Sequence, residues 1–196
     1  MKSSHRGSVA ALSLILALGL TACGGKASFD VSGSISGLNN PGLVLANGDS
    51  TVAPASGATS FTFPNSIDYG TSYNITFQHQ PDHMTCLISN ASGSAGHTTE
   101  IRASVSCAQN SYTLGGTVSG LTVDGLVLTN GSVATPVTLA ANATTFVFAN
   151  AVPVGTTYGV SVLTNPAGLV CGVTGGTAVM GDAAVNNVAV ACVPAT

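Results

Sequence analysis

The sequence predicts an all-β protein in which two tandem β-sandwich domains follow an N-terminal export signal. Three observations predict this fold class: apolar and polar residues alternate along short segments, one long pattern occurs twice, and cysteines occupy matched positions in both copies. The chain of 196 residues is long enough for two small domains. We predict a signal peptide at 1–22, a short N-terminal linker at 23–28, and sandwich repeats at 29–107 and 111–194.

The composition is typical of a β-rich exported protein, and it excludes one class of binding partner. The chain has 24 glycines and no tryptophan, and only 6% of its residues are charged, against about a quarter in an average protein. Hydrophobic residues make up 45% of the chain, which is enough to form a buried core. Beyond the N-terminal segment the only basic residues are Lys26 and Arg102. Nucleic acid is therefore excluded as an expected partner, because phosphate binding needs several clustered cations.

The N-terminal segment has the pattern of an export signal. Lys2 and Arg6 precede the apolar run "VAALSLILALGL" at 9–20, which is too short to span a bilayer. The residues that follow, Leu20-Thr21-Ala22-Cys23, resemble the lipobox of bacterial lipoproteins. This resemblance implies cleavage before Cys23 by a type II signal peptidase and attachment of acyl chains to that cysteine. The alternative is an ordinary cleaved secretory signal with a cysteine nearby by chance.

The lipobox resemblance also implies a location. Two or more acyl chains anchor a protein to a membrane almost permanently, so the mature protein is expected to be lipid-anchored in a bacterial cell envelope. Gly24 stands where an aspartate would resemble the inner-membrane retention signal of enteric bacteria. The resemblance therefore favours the outer membrane in a host that has one.

The mature sequence contains two copies of one module. "GLVLANG" at 42–48 returns as "GLVLTNG" at 125–131, and "SFTF" at 60–63 returns as "TFVF" at 145–148. Gly70, Tyr73 and Pro81 return 85 residues later as glycine, tyrosine and proline. One insertion of two residues after the Asn-Gly pair brings all of these matches into register. Repetition at this period indicates two structural units with one fold.

Each copy reads as six or seven short strands. In "FDVSGSISGL" the residues Phe29, Val31 and Ile35 fall on one face, which is typical of a half-buried first strand. The run "GLVL" predicts a second strand, and the Asn-Gly pair after it predicts a hairpin. The Phe-x-Phe pairs mark a third strand, and a glycine corner precedes the fourth at 73–77. A fifth strand begins at the first cysteine of each copy, and "EIRASVSC" forms the last.

Four of the five cysteines belong to the modules. Cys86 and Cys107 are separated by 21 residues, and Cys171 and Cys192 repeat that separation. Three pairings of four cysteines are formally possible, but in an exported protein the repeat favours one disulfide inside each copy. Cys23 is then the only cysteine outside a module.

The repeated frame resembles known bacterial surface modules. Gly-x-Val-Ser-Gly-Leu, Gly-Leu-Val-Leu-x-Asn-Gly, Phe-x-Phe and the closing cysteine pair resemble the tandem Ig-like modules of uncharacterised proteobacterial surface lipoproteins. The stretch "FTFPNSIDYGTSYNITF" is similar to the corner of collagen-adhesin B-type, or prealbumin-like, sandwiches. Both resemblances imply an Ig-like or prealbumin-like sandwich, and neither family frame brings catalytic residues with it.

The histidines of repeat 1 are the candidates for a metal site. His79 and His83 flank Pro81 and, with His97 and Asp82, offer ligand types that suit zinc or copper. The second copy has no histidine at all and places Thr164 and Gly168 at the positions of His79 and His83. We therefore expect solvated loop histidines, with no metal and no cofactor.

The expected function is non-enzymatic. "GSISG" at 33–37 lacks the central serine of a nucleophile elbow, and the glycine-rich pieces lack the lysine and helix of a phosphate loop. We expect a membrane-anchored structural or interaction module of the cell envelope. The alternative is a surface module that binds a glycan or an envelope protein through repeat 1, because the histidines and Arg102 occur only in that copy.

Overall fold

The structure, a computed structural model, describes residues 26–131 and 135–196. The predicted signal peptide and Cys23 lie outside these residues. Every regular element in the described ranges is a β-strand, so no helix there is long and apolar enough to cross a membrane. The predicted all-β fold is confirmed.

Module 1, residues 28–109, contains ten strands, which is more than the six or seven predicted. They are β1 Ser28–Phe29, β2 Val31–Ser36, β3 Val44–Asn47, β4 Ser50–Val52, β5 Ser60–Thr62, β6 Ile67–Asp68, β7 Ser72–His79, β8 Met84–Ser89, β9 Ser92–Ser94 and β10 Ile101–Gln109. The strands absent from the prediction are β4, β6 and β9, which have two or three residues each. Segments this short carry no readable alternation of apolar and polar residues.

Module 2, residues 111–194, repeats the same ten elements in the same order. They are β11 Ser111–Tyr112, β12 Leu114–Ser119, β13 Leu126–Asn130, β14 Val137–Leu139, β15 Thr145–Val147, β16 Val152–Pro153, β17 Thr157–Thr164, β18 Leu169–Thr174, β19 Thr177–Val179 and β20 Val185–Pro194.

Each module is a sandwich of two four-stranded sheets. In module 1 the sheets have the orders β5-β2-β10-β8 and β4-β3-β7-β9, and module 2 has the matching orders β15-β12-β20-β18 and β14-β13-β17-β19. Strand β2 runs parallel to β10, whereas β10 and β8 are antiparallel. A two-stranded ribbon, β1 with β6 or β11 with β16, closes one side of each sandwich.

The core of each module lies between its two sheets. Strand β10 shows the cause, because its alternate residues Ile101, Ala103, Val105 and Cys107 are all buried, as their period of two predicts. They pack with residues of the opposite sheet such as Leu45. In both modules the Phe-x-Phe rings meet edge to face, with centroids 5.9 Å apart for Phe61–Phe63 and 5.7 Å apart for the second pair.

Two local features differ from the predicted first strand and hairpin. The first strand is broken at Asp30, since β1 pairs with β6 while β2 belongs to a four-stranded sheet. In the first hairpin Asn47 is the last residue of its strand, and the two-residue turn consists of Gly48 and Asp49. Gly48 has a φ of 59°, as the first position of a type II′ turn requires. The Asn47 side chain instead accepts a hydrogen bond from the backbone N–H of Asn74.

Candidate functional site

The disulfides join neighbouring strands of the same sheet. Cys86 on β8 lies directly opposite Cys107 on β10, and Cys171 on β18 lies opposite Cys192 on β20. This is the pairing that the repeat predicts. Because both bridges lie inside single modules, each module carries its own covalent constraint on the unfolded chain.

The histidines considered for metal binding are solvent-exposed and have separate partners. His79 ends β7, where its Nδ1 lies 2.8 Å from the backbone oxygen of Gln80. His83 lies in the turn before β8 and pairs with Asp182 of module 2. Among residues 26–131 and 135–196, no three histidine, cysteine, aspartate or glutamate residues are grouped closely enough to hold a metal ion.

The junction between the modules consists of one connecting residue that is hydrogen-bonded on both sides. Asn110 separates β10 from β11; its N–H donates to the oxygen of His83, and its oxygen accepts from the N–H of Val154, both at 2.9 Å. The Gln109 side chain also donates to the oxygen of Val154 at 3.3 Å. These bonds restrict rotation about the connection.

His83 and Asp182 form the ion pair of this junction. The Nδ1 atom of His83 lies 2.7 Å and 2.9 Å from the two carboxylate oxygens of Asp182. The hydrogen bond and the charge of Asp182 raise the pKa of His83 above its usual 6.5; slight desolvation opposes this shift, and the charge of Asp82 adds to it. A groove of about 560 Å³, lined by Asn40 and Met180 among others, lies beside the pair.

A side-chain amide caps the edge strand β8. Gln80 accepts a hydrogen bond from the N–H of Cys86 at 2.8 Å and donates one to its oxygen at 3.2 Å, so the amide occupies the position of a neighbouring strand. Asn165 is the equivalent residue of module 2, and its shorter side chain accepts one bond, from the N–H of Cys171 at 2.8 Å. The sequence signal for this cap is the amide residue before the repeated proline in both copies.

A groove of about 660 Å³ with a largely polar lining lies in module 1, and we call it the β2–β10 groove. It lies where strands β2 and β10 begin, at the end of the module opposite to the junction. Its walls are hydroxyl-bearing, charged and aromatic side chains together with a few small residues. The lining residues are Ser28, Phe29, Asp30, Ser32, Gly33, Ser34, Ser60, Phe61, Thr62, Thr99, Glu100, Arg102 and Ala103.

Charged groups are concentrated around this groove. Arg102 on β10 donates from its Nε to the carboxylate of Glu100, and its Nη2 also contacts that carboxylate. Asp30 lies at the break between β1 and β2. Lys26 pairs loosely with Asp68 on β6, with 3.9 Å between the nitrogen and the oxygen. Both basic residues of the described chain therefore belong to this end of module 1.

An exposed aromatic residue stands near the groove. Tyr69 is 68% exposed, and its ring centroid lies 6.4 Å from that of Phe29, which lines the groove. The other aromatic residues singled out in the sequence are predominantly core residues: Phe61, Phe63, Phe146, Phe148 and Tyr158 are buried, and Tyr73 is partly buried.

Sequence reasoning identified only part of this groove. The sequence distinguishes repeat 1 by Arg102, whereas no sequence pattern singles out Asp30 or Glu100. Asp30 lines the groove at the break between β1 and β2. This break follows from the pairing of β1 with β6 and of β2 with β10. The sequence carries one usable signal, because the repeat offsets align Asp30 and Arg102 with the uncharged residues Thr113 and Asn187 of module 2.

Comparisons with known proteins give little further information. No protein family model matches the chain, and no curated protein matches it. Among solved structures, the major pilin protein T-13 of Streptococcus pyogenes is similar over 87% of this chain and 98% of its own, with 11% sequence identity and a TM-score of 0.30. The fold described above rests on strand pairing and burial alone.

Proposed function

We propose that the protein is a non-enzymatic lipoprotein of a bacterial cell envelope. Lipid on Cys23 would hold the chain on a membrane, the outer membrane in a host that has one. The two sandwiches would form a structural or interaction element at the membrane surface.

The observation that carries the anchor is the distribution of cysteines. Cys86 pairs with Cys107 and Cys171 pairs with Cys192, each within one module. The fifth cysteine follows Leu-Thr-Ala at the end of an export signal, the position that receives lipid in bacterial lipoproteins. Acyl chains contribute about 0.8 kcal/mol per buried methylene, so a multiply acylated terminus needs no transmembrane segment.

The junction supports the structural part of the proposal. A single connecting residue, Asn110, is bonded to both modules, and the His83–Asp182 pair bridges them beside it. This arrangement suits a spacer whose two parts keep a defined orientation. The lining of the β2–β10 groove offers hydroxyls, carboxylates and one guanidinium, without an imidazole or thiol to act as base or nucleophile.

Replacement of Cys23 tests the anchor. Cells that express the Cys23→Ser protein should lose incorporation of labelled palmitate and should release the protein from the membrane fraction. The control Ala27→Ser introduces a serine into the same short linker and should leave both labelling and retention unchanged. Unchanged membrane retention of Cys23→Ser would refute the lipid anchor.

A second candidate function is recognition of a glycan or an envelope protein through module 1. The β2–β10 groove favours it, because its polar and charged lining belongs to one module of a chain that is otherwise almost uncharged. A purely structural spacer does not require such a concentration of polar groups.

A further inference from the structure

We infer that the β2–β10 groove is a binding site for a neutral oligosaccharide. This inference deepens the second function proposed above and rests on it, since it names the class of ligand that module 1 would recognise. It stands on the size of the groove, its hydrogen-bonding groups, its net charge and the aromatic side chains beside it.

The size and position of the groove suit a short sugar chain. Its volume of about 660 Å³ falls within the range of about 300–1,000 Å³ that small-molecule sites occupy. Its floor includes Gly33, where an added Cβ would lie 2.5 Å from the Phe61 ring and 2.4 Å from the backbone oxygen of Ala103. Gly33 shares its face of β2 with the buried Val31 and Ile35, so these contacts show close packing of the core beneath the groove.

The groove presents the hydrogen-bonding groups that sugar hydroxyls require. A hydroxyl group of a sugar donates one bond and accepts others, and serine and threonine hydroxyls can answer both roles. Asp30 and Glu100 supply carboxylate acceptors, and Arg102 supplies a planar set of donors. The Glu100 carboxylate orients the guanidinium of Arg102 through the contacts at Nε and Nη2.

Charge decides between a neutral ligand and an anionic one. The lining contains two carboxylates and one guanidinium, so its formal charge is negative. Arg102 is already paired with Glu100, which leaves no uncompensated cation for a phosphate, a sulfate or an anionic lipid headgroup. A neutral polyol is attracted by the same donors and acceptors without this repulsion.

The aromatic side chains give the site an apolar surface. Phe29 lines the groove, and the exposed ring of Tyr69 extends this surface outward. Tyrosine combines an apolar ring with a polar hydroxyl, a combination that suits the mixed faces of a sugar ring. The other aromatic residues are buried or partly buried, so the 68% exposure of Tyr69 distinguishes it from them.

Module 2 supplies an internal control for the proposal. Ser32 lies opposite Thr62 in module 1, and the equivalent pair in module 2 is Gly115 with Val147. Arg102 is replaced there by Asn187. The same sheet of module 2 therefore lacks the charges and several of the hydroxyls that the proposed site uses.

Binding should be measured on the full chain, purified in detergent, by calorimetry and saturation-transfer NMR. The neutral probes are maltohexaose, cellohexaose and chitohexaose; a heparin hexasaccharide and a hexalysine peptide serve as charged probes. At least one neutral hexasaccharide should bind. Arg102→Asn and Thr62→Val, which introduce the module 2 residues, should each weaken that binding about tenfold, as loss of one good hydrogen bond does. Asn187→Ala in module 2 should leave it unchanged.

Several outcomes would overturn the inference. These are no binding of any neutral probe, stronger binding of heparin or hexalysine, or equal weakening by Asn187→Ala. Unchanged thermal unfolding of the variants shows that they are folded, and Tyr69→Ala, an exposed position, provides a second test that does not disturb the core. Cys23→Ser should retain sugar binding, so failure of the lipid anchor and failure of the glycan site give different results.

Discussion

The two modules have similar cores, each within its own sandwich, but they differ on one outer face. The two modules have the same strand order, sheet orders, disulfide positions and Phe-x-Phe pairs. The outward residues of the β5-β2-β10-β8 sheet are mostly polar, with Leu87 as an exposed exception, whereas its counterpart exposes several valines. In module 2 the side chains of Val147, Val170 and Val193 are more than half or about half exposed. Module 1 has Thr62, Thr85 and Ala108 at these positions. Burial thus restricts the inward residues of both copies, while the outward residues have been free to acquire different surfaces.

The same comparison shows a difference in strand geometry. Strands β2 and β10 pair in continuous register, whereas β12 and β20 carry an irregularity between Leu114 and Gly116. Both modules need glycine where these strands approach closely, since an added Cβ would lie 2.4 Å from a backbone oxygen at Gly33 and 1.8 Å at Gly116, so the difference lies in the register alone. The face that forms a groove in module 1 is therefore built differently in module 2.

The largest expected effect comes from removing the disulfides one module at a time. Both bridges close loops of the same sequence separation, 21 residues. The chain-entropy account therefore predicts that Cys86→Ala/Cys107→Ala and Cys171→Ala/Cys192→Ala each lower the free energy of unfolding of their own module by about 3 kcal/mol. Differential scanning calorimetry of both double variants measures the two losses.

Equal losses of unfolding free energy, each in the unfolding transition of one module, would show that the two cores depend equally on their disulfides. Cys23→Ser is the matched control, because it removes a cysteine outside both modules and should leave both transitions in place. A displacement of both transitions by one double variant would show instead that the junction couples the modules more strongly than their shared contacts indicate.

A smaller effect should distinguish the two edge caps. Gln80 makes two hydrogen bonds with the backbone of Cys86, and Asn165 makes one with that of Cys171. Each hydrogen bond contributes about 1 kcal/mol to stability, so Gln80→Ala should lower the free energy of unfolding about twice as much as Asn165→Ala. Thermal unfolding of the two variants measures the difference. Equal losses would mean that the second hydrogen bond of Gln80 contributes nothing. Gln78→Ala, at an exposed position of β7, controls for loss of a glutamine.

The smallest effect concerns the pH dependence of the junction. Because Asp182 raises the pKa of His83 above 6.5, the stabilisation from this pair is fully present below that pH and is lost as the pH rises through the raised value. Asp182→Asn should lower the pKa of His83 toward its usual value, as NMR titration of the imidazole would show. Asp49→Asn removes a carboxylate from the first hairpin turn and should not change that pKa. A titration of His83 unchanged by Asp182→Asn would refute the ion pair.

Much of the fold was predictable because burial has a simple period along a strand. Ile101, Ala103, Val105 and Cys107 alternate with polar residues, and the equal separation of the two cysteine pairs indicated one disulfide in each module. The two-residue strands β1 and β6 were not separable from loops, since they are defined by their pairing with each other and not by a local pattern. The change at Asp30 from the β1–β6 ribbon to the four-stranded sheet was not predictable either, because it also depends on strand pairing.

The candidate site was less predictable than the fold. Glu100 and Arg102 lie close in sequence, but Asp30 and Thr62 approach them only through the pairing of β2 with β10 and β5. Parallel pairing of the first long strand with the last joins residues about 70 positions apart. A single sequence contains no local signal for such contacts, whereas comparison of the two copies shows which residues of module 1 differ.

The parallel pairing of β2 with β10 has a mechanical meaning. Six residue pairs join these strands, and the chain enters module 1 at one end of this ladder and leaves it at the other. A force that pulls the two ends of the module apart acts along the ladder, so its backbone hydrogen bonds resist shear together and do not open one after another. Strands β12 and β20 repeat the arrangement in module 2. Both modules therefore place their first and last long strands in the geometry that opposes an axial pull.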